Sequence, residues 1–518
     1  MSFSAGRLTL PAWPTALAPG LRLLWTRTLF PGDAEYDDRL KLRSLSLLVL
    51  LPALLLYPGL NFRLLEPDEG RYAEIAREML VRGDWVVPHL QGEPYLDKPP
   101  LLYWLVVLSY KLFGVRDWAA RLVPALAVHA TILITYLFGR RLLGERAAVR
   151  GALLLALAPG LAGMGRLLVL DGLLTLWVTV GLFAGRRGWL TVCAIACGLG
   201  VLTKGPVAIV LVVVPLLLNQ WLTSGRVDWR WRDAARFAGV VGLVNAPWYV
   251  AVSIARPEFG VYFFVKHNLQ RFLAPFDHVE PVWYYAPVLL GGLLPATLLI
   301  RRFGRWLISG DADAARARTP ALGFCLLAGG WCVLFFTLSG SKLPTYILPA
   351  FAQLALALGH FWSLTPIRGG GWVLGCWGTI LLLTNIVGLP WYAEMRSPMG
   401  GPAAELRAMC ADPTISVCCY PRSCDSAAFY LGRDDLRPTR SKFVHLLVAE
   451  LLSRDRTVIL FTHNHSLAAL KFALPPELQI TREVNFRRPI PGASFLTPLI
   501  GETPLGLCDV AVVERKAH

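Results

Sequence analysis

Apolar runs of membrane-spanning length recur along the first 390 or so residues, separated by polar connections. Such runs match the roughly 20 residues that an α-helix needs to cross a bilayer. A membrane β-barrel would instead show short segments of alternating polarity, which the sequence does not contain. The pattern therefore predicts a polytopic α-helical membrane protein with about 11 to 13 transmembrane helices.

Loop charges decide how these runs are oriented. The run 99–114 is short, starts with two prolines and contains Lys111. If it crossed the membrane, the arginine-rich loop 139–150 would face outside, against the positive-inside tendency. We therefore predict that 99–114 lies along the membrane surface. The predicted spans are 45–64, 119–138, 149–165, 170–185, 189–203, 206–222, 237–255, 283–300, 321–338, 344–361 and 371–391.

This orientation gives three segments. Residues 1–44 carry several basic residues and are too polar and too long for a cleavable leader. We therefore predict a retained first span with a cytoplasmic N-terminus. Residues 45–392 form the transmembrane domain, with a first periplasmic loop over 66–118. Residues 393–518 change in composition: 415–420 and 456–464 are typical of buried strands and 442–455 of a helix, which predicts an extracytoplasmic α/β domain. Some of its five cysteines could pair there, with the connectivity left open. They are Cys410, Cys418, Cys419, Cys424 and Cys508.

Composition agrees with a membrane protein and narrows its partners. The chain is 55% hydrophobic and 17% charged, with a mean hydropathy of +0.50. Its net charge of +16 comes from residues clustered between spans, which indicates contact with lipid headgroups rather than nucleic acid. No phosphate-binding loop or dinucleotide fingerprint is present, so we expect no nucleotide cofactor.

The predicted topology gathers polar residues on the outer face, in 66–104, 165–171, 203–206, 256–282 and 339–346. The first of these regions begins with an amphipathic pattern over 67–80, which predicts a helix lying on the membrane surface. Asp68 at its start is either a helix-capping carboxylate or a catalytic group over a cavity. Lys98, held in extended backbone before Pro99, is either a snorkelling lysine or a phosphate contact.

The other outer regions add further charges. Asp171 could pair with Arg166 or face a cavity, and Lys204 stands at a span end where a phosphate could bind. Residues 256–282 contain His267, Asn268, Arg271, Asp277 and His278, and His278 with a nearby carboxylate could complete a metal site. Cations that bind phosphate, together with carboxylates that manage protons or metals, suit a membrane enzyme acting on a phosphate-linked lipid.

Five motifs carry a specific resemblance: EPDEGRYAEIAREML, GDWVVPHLQGEPYLDKPPLLYW, LTKGP, FFVKHNLQRF and SKLPTYILPA. Over residues 45–390 the chain resembles the GT-C class of lipid-linked-sugar glycosyltransferases. It is most similar to the branch that transfers 4-amino-4-deoxy-L-arabinose to lipid A, with protein O-mannosyltransferases more distant. The resemblance implies a bacterial inner-membrane enzyme with a periplasmic cavity, a polyprenyl-phosphate-linked donor and inversion at the anomeric carbon.

The resemblance also implies roles for individual residues. Asp68 and Lys98 are expected to be catalytic. Asp97 and His278 match a divalent metal pair, for zinc or a similar ion, although Asp97 stands where the family usually has Glu. The residues expected to bind substrate are Glu69, Arg71, Tyr95, Asp171, Lys204, Arg271, Lys342 and Tyr346.

Two alternatives stay open at this point. A related transferase could carry another sugar to a protein, a glycan or another lipid, since the motifs match a polyprenyl phosphate better than a sugar. A flippase for a lipid-linked sugar would show paired repeats and midplane polar residues. The sequence shows neither, so a flippase is the weaker alternative.

Overall fold

The computed structural model describes residues 17–33, 35–225, 229–274, 278–365, 367–396, 403–440, 443–463, 465–485 and 509–516. Two residues named above, Asp277 and Cys508, lie outside these ranges. The chain divides into two compact units. Unit 1 comprises Met1–Pro58, Leu96–Leu102 and Val123–Leu382, and unit 2 comprises Gly59–Tyr95, Tyr103–Leu122 and Leu383–His518. The domain boundaries drawn from the sequence stay a prediction.

The described residues form 23 α-helices and seven strands. The helices are α1 (Leu17–Leu23), α2 (Leu42–Leu56), α3 (Asp68–Arg82), α4 (Leu101–Phe113), α5 (Asp117–Leu143), α6 (Glu145–Ala156), α7 (Pro159–Met164), α8 (Leu170–Arg186), α9 (Leu190–Lys204), α10 (Val207–Ser224), α11 (Trp231–Ala255), α12 (Arg271–Leu273), α13 (Tyr285–Gly292), α14 (Ile300–Leu307), α15 (Ala312–Ala317), α16 (Pro320–Leu338), α17 (Phe351–Leu364), α18 (Gly370–Leu383), α19 (Leu389–Arg396), α20 (Ala403–Met409), α21 (Asp425–Leu431), α22 (Val444–Leu452) and α23 (Ser466–Ala473). The strands are β1 (His89–Leu90), β2 (Glu93–Pro94), β3 (Ser416–Tyr420), β4 (Arg437–Pro438), β5 (Arg456–Phe461), β6 (Leu478–Asn485) and β7 (Asp509–Arg515).

Every predicted span contains helix in the structure, although the span 45–64 is helical only to Leu56 and the span 149–165 is divided between α6 and α7. Among the described residues, six helices are long and apolar enough to cross a membrane, or seven if one bent pair is a single span. That pair, Val282–Gly292 and Ala296–Leu307, is bent by 101° near Pro295. Since α4 has only 13 residues, it belongs with the shorter apolar helices, and its place along the membrane surface stays a prediction.

Unit 1 packs its helices closely where small residues meet. At Gly359 in α17, an added Cβ would lie 2.5 Å from the Cα of Gly151 in α6. Small residues allow two membrane helices to approach at backbone distance, and this approach stabilises them through van der Waals contact.

Turns of π-helix over Leu24–Leu29, Val261–Gln270 and Thr384–Gly388 interrupt the regular helices. The 3₁₀ turns are Val282–Tyr284, Ala296–Leu299 and Pro344–Ala350.

Unit 2 contains a five-stranded sheet in the order β4-β3-β5-β7-β6. Strand β3 pairs parallel with β4 and β5, whereas β7 pairs antiparallel with β5 and β6. Apolar side chains cover both faces of the central strands, with one core around Leu460 and another around Phe461. The predicted strands and helix of the tail are confirmed. Cys410, Cys418, Cys419 and Cys424 are buried and carry free thiols.

Helix α3 of the first loop also belongs to unit 2. Its predicted range is confirmed, but its polar side is not a solvated face, because Glu74 and Arg77 are buried along with the apolar stripe. Helix α3 packs on α21, and an added Cβ at Gly70 would lie 2.6 Å from the backbone N of Ser426. The polar side of α3 is therefore paired inside the protein, where the Arg77 guanidinium donates to both carboxylate oxygens of Glu74. The place of α3 on the membrane surface stays a prediction.

Candidate active site

A cavity of about 330 Å³ in unit 1 brings together three of the predicted cations. Lys98, Lys204 and Arg271 all line it, although they lie more than 60 residues apart in the chain. Apolar and aromatic side chains form most of the remaining wall: Pro206, Val207, Val210, Phe264, Leu269, Phe272, Phe335, Phe336 and Tyr346. An apolar wall with a few convergent cations is suited to a long hydrocarbon chain that ends in an anion.

Helix ends position the first charge pair of this cavity. Lys204 is the last residue of α9, and Asp171 lies in the first turn of α8. Each charge therefore complements the dipole of its own helix. The Lys204 Nζ donates to the Asp171 Oδ1 at 2.5 Å. Gly205 ends α9 at a φ of +89°, a conformation that glycine adopts without strain.

Arg166 takes the structural role that the sequence offered as one alternative, but with other partners. Its Nη1 donates to the carbonyl oxygens of Leu56 at 2.9 Å and Pro58 at 2.7 Å, at the end of α2. Asp171 instead pairs with Lys204 at the cavity. The proximity of Arg166 to Asp171 in sequence therefore did not identify the charge partner of Asp171.

The pKa of Lys98 is lowered in this cavity. Burial, reinforced by the nearby charges of Lys204 and Arg271, lowers the pKa of Lys98 to about 8. Like charges held close together in a poorly solvated place disfavour one another's charged forms. An anion bound among these three cations would relieve that repulsion, so the cavity is electrostatically suited to a phosphate.

Beside Lys98, the carboxylate of Asp97 is held by two side chains that the site prediction omitted. The Tyr262 hydroxyl donates to the Asp97 Oδ1 at 2.7 Å, and the His267 Nε2 lies 3.1 Å from the same oxygen. These hydrogen bonds, against the opposing effect of burial, lower the pKa of Asp97. Both partners lie on the π-helix Val261–Gln270. Such a turn re-aims side chains, and its presence could not be read from the motif FFVKHNLQRF.

Tyr346 and Lys342 follow each other closely in sequence but have different surroundings. The Tyr346 ring lies in the cavity wall, with the Lys204 Nζ 4.1 Å from its centroid. Lys342 is buried, and its Nζ donates to the carbonyl oxygens of Ser339 at 2.7 Å and Glu280 at 3.0 Å. Lys342 thus fastens two loops together, and its predicted contact with substrate stays a prediction.

The two residues of the predicted metal pair, Asp97 and His278, have different protein contacts. His278 has a φ of +52°, and its carbonyl oxygen accepts the Lys342 N–H at 2.9 Å. Asp97 is engaged by Tyr262 and His267. In the described ranges, no three His, Cys, Asp or Glu side chains converge as metal ligands. The donors present do not form a recognisable site, so a metal stays a prediction and no step below depends on one.

The other predicted residues lie in unit 2. Asp68, at the start of α3, is 47% exposed and has the Arg71 Nη1 3.4 Å from its Oδ1. Asp68 lies in the first turn of α3, where its charge complements the helix dipole, and its catalytic role stays a prediction. Arg71 also lies 3.8 Å from Asp425. Tyr95 donates its backbone N–H to the Pro88 carbonyl oxygen at 2.7 Å.

Glu69 of unit 2 is part of a buried ion pair. Its two carboxylate oxygens each lie 2.8 Å from the guanidinium of Arg121, which is fully buried. Arg121 also donates to the carbonyl oxygens of Leu60, Phe62 and Arg63. This bidentate arrangement fixes the start of the first loop. Substrate binding by Glu69 stays a prediction.

Unit 2 also buries two acids that the sequence did not single out. The Glu66 carboxylate accepts the Ser426 N–H at 2.6 Å. Burial together with the charge of Asp425 raises the pKa of Glu66, and burial also raises the pKa of Asp425. Since they lie 359 positions apart in the chain, no local pattern could have associated Glu66 with Asp425.

Comparisons with known proteins agree with this architecture. The family model for dolichyl-phosphate-mannose-protein mannosyltransferases matches residues 41–263. The undecaprenyl phosphate-alpha-4-amino-4-deoxy-L-arabinose arabinosyl transferase of Edwardsiella ictaluri (strain 93-146) is 35% identical over 383 residues, 69% of this chain and 65% of the relative. The protein of the same name from Enterobacter sp. (strain 638) is 33% identical over 380 residues, 68% of this chain and 66% of the relative. The chain is a relative of these transferases.

A comparison with solved structures gives a similar result. The crystal structure of ArnT from Cupriavidus metallidurans bound to undecaprenyl phosphate superposes with a TM-score of 0.70 at 22% identity, covering 90% of this chain and 97% of ArnT. The structure of ArnT without ligand gives a TM-score of 0.68 at 23% identity. The predicted GT-C membrane fold and its resemblance are confirmed. The sequence alignments span slightly less than two thirds of the two curated relatives.

Proposed function

We propose that the chain transfers 4-amino-4-deoxy-L-arabinose from undecaprenyl phosphate to a phosphate of lipid A, at the periplasmic face of the bacterial inner membrane. The observation that carries this proposal is the convergence of Lys98, Lys204 and Arg271 on the unit 1 cavity. The names of the relatives supply the sugar and the carrier. Loop charges supply the orientation, with the N-terminus in the cytoplasm and the tail in the periplasm.

The charges of the cavity suit the departure of a carrier phosphate. When the bond between the anomeric carbon and the phosphate oxygen breaks, the electron pair stays on that oxygen and the phosphate gains negative charge. Lys98, Lys204 and Arg271 line the cavity where this charge would develop. Well-aimed donors of this kind contribute about 3–4 kcal/mol each to transition-state stabilisation.

The acceptor needs less assistance than the leaving group. A lipid A phosphate is already anionic, so it can attack the anomeric carbon from the opposite face and invert its configuration without a strong base. The role that the resemblance gives to Asp68 is then to orient the acceptor or to stabilise positive charge on the sugar. Asp68 is half exposed on unit 2, so it is accessible for either role.

The proposal is tested in a bacterium that lacks its own aminoarabinose transferase. Expression of the chain should add 4-amino-4-deoxy-L-arabinose to lipid A, as read by mass spectrometry. We expect Asp68→Asn and Lys98→Ala each to lower single-turnover transfer in membranes, the latter by roughly 10²–10³-fold. Lys111→Ala is the matched control, because Lys111 is exposed and lies over the Trp85 ring.

Other results would point elsewhere. Near-normal transfer by Asp68→Asn or Lys98→Ala would contradict the assigned roles. Unmodified lipid A together with labelling of a protein, a glycan or another lipid would favour the related transferase with a different acceptor. Movement of the donor across the membrane without any transfer would favour a flippase.

A further inference from the structure

A second cavity of unit 1 lies at the far ends of the helices that build the candidate active site. Helix α8 begins beside Asp171 and ends at Arg186, which lines this second cavity. Its 17 residues span about 25 Å at 1.5 Å per residue, which is close to the thickness of a bilayer's hydrocarbon core. If α8 crosses the bilayer as predicted, the second cavity lies at the level of the lipid headgroups of the opposite leaflet. Its volume is about 560 Å³.

Arg186 is a partly buried cation that forms no ion pair with the described residues. Within the described part of the chain, it forms no hydrogen bond or ion pair, and its Nε is buried without a partner. Its guanidinium lies 5.9 Å from the Phe324 ring centroid. Because a guanidinium stays protonated in proteins, burial without a counter-ion is unfavourable. An anion in the cavity would supply what the protein does not.

A second polar group faces the same space. Asn219 on α10 is 7% exposed and lines the cavity. Its Oδ1 is buried and has no hydrogen-bond partner among the described residues. Two polar groups from different helices, one cationic and one an amide, are thus left to be satisfied by a ligand.

The remaining wall indicates which kind of ligand fits. Trp229 lines the cavity, and tryptophan prefers the headgroup level of a bilayer. Asp233 also lines it, with its Oδ2 accepting the Arg230 N–H at 3.3 Å as a cap of α11. A carboxylate beside a cation favours a headgroup that carries both a phosphate and an ammonium or hydroxyl donor.

We infer that this cavity binds the phosphate of a membrane phospholipid, with the Arg186 guanidinium on the phosphate oxygens and the Asn219 amide on a neighbouring headgroup donor. Arginine is suited to this contact because its fork matches two phosphate oxygens. The site is separate from the proposed sugar transfer, since it lies at the opposite end of α8. A bound lipid there would tie α8, α10 and α11 together at that membrane surface.

Native mass spectrometry of the delipidated full-length chain tests this site. The probes are phosphatidylethanolamine, phosphatidylglycerol and inorganic phosphate, titrated separately. We expect Arg186→Gln to weaken lipid binding roughly tenfold or more, because it removes a charge-assisted hydrogen bond to the phosphate. Arg187→Gln is the matched control, because Arg187 is the next residue and is exposed. It should change the affinity less than twofold or so.

Several outcomes would overturn the inference. Equal losses in Arg186→Gln and Arg187→Gln would mean that general surface charge attracts the lipid. Inorganic phosphate binding as tightly as the lipids would assign the site to free phosphate instead. If Arg186→Gln does not fold, Asn219→Leu decides, because it removes the amide without removing charge. Unchanged lipid affinity in Asn219→Leu would then contradict the proposed contact.

Discussion

Two ion pairs, one in each unit, differ in geometry and in surroundings. In unit 2, Arg121 is enclosed, with Glu69 and three backbone carbonyl oxygens accepting its hydrogen bonds. In unit 1, Lys204 pairs with Asp171 but also lines a cavity beside Lys98 and Arg271. The first pair is enclosed by the protein, whereas the second stands beside two further cations that line the same cavity.

This difference separates structural charges from charges that await a ligand. A closed pair is destabilising when one partner is removed, since the other stays buried without compensation. In a cluster of neighbouring cations, removing one cation does not destabilise the empty site in this way, because the cations repel one another until an anion binds. Burial alone does not distinguish the two cases; the balance of charge around each group does.

The largest expected effect is on the folding of unit 2. Arg121→Leu should lower the free energy of unfolding by about 3–5 kcal/mol, because it leaves the Glu69 carboxylate buried and unpaired. Thermal melting of the purified protein measures this change. Lys471→Met is the matched control, since the Lys471–Glu483 pair is exposed and such pairs contribute about 0–1 kcal/mol. If Arg121→Leu melts like the control, the enclosed pair is not structural.

The second expected effect is on transfer through unit 1. The double variant Asp171→Asn, Lys204→Met removes a positive and a negative charge together, so its melting temperature should stay near that of the unaltered chain. Its transfer rate should fall roughly 10²–10³-fold, because one cation aimed at the leaving phosphate is lost. Single-turnover assays and melting curves on the same preparation check both halves. A large loss of stability with normal transfer would make Lys204–Asp171 structural, like Glu69–Arg121.

The smallest expected effect is a pH dependence of binding. Lys98 binds an anion only when protonated, and its pKa is lowered to about 8. Affinity for an unreactive polyprenyl phosphodiester should therefore be nearly full at pH 7, about half of that at pH 8 and about tenfold lower at pH 9, where about a tenth of the lysine stays protonated. Lys98→Arg keeps its charge throughout, so its affinity should be independent of pH. The same fall in Lys98→Arg would assign the titration to another group.

The sequence anticipated much of the membrane fold and part of the site. Each predicted apolar span contains helix in the structure. Three of the predicted cations, Lys98, Lys204 and Arg271, line one cavity. It missed Tyr262 and His267 as partners of Asp97, because a π-helix changes which side chains face a site. It also placed Lys342 with the ligand cations, which stays a prediction, but it gave no sign that the Lys342 Nζ donates to two backbone carbonyl oxygens.

What the sequence determined by itself was the set of membrane helices, the strands of the tail and the family resemblance. Hydrophobicity and motif spacing are local properties, and lipid allows few alternatives for a long apolar run. Only the tertiary structure decided which charges are satisfied. It united the first loop with the tail in unit 2, closed Glu69 onto Arg121, and left Lys98 and Arg186 facing cavities. The physical reason is that the electrostatic state of a group depends on neighbours brought from distant parts of the chain.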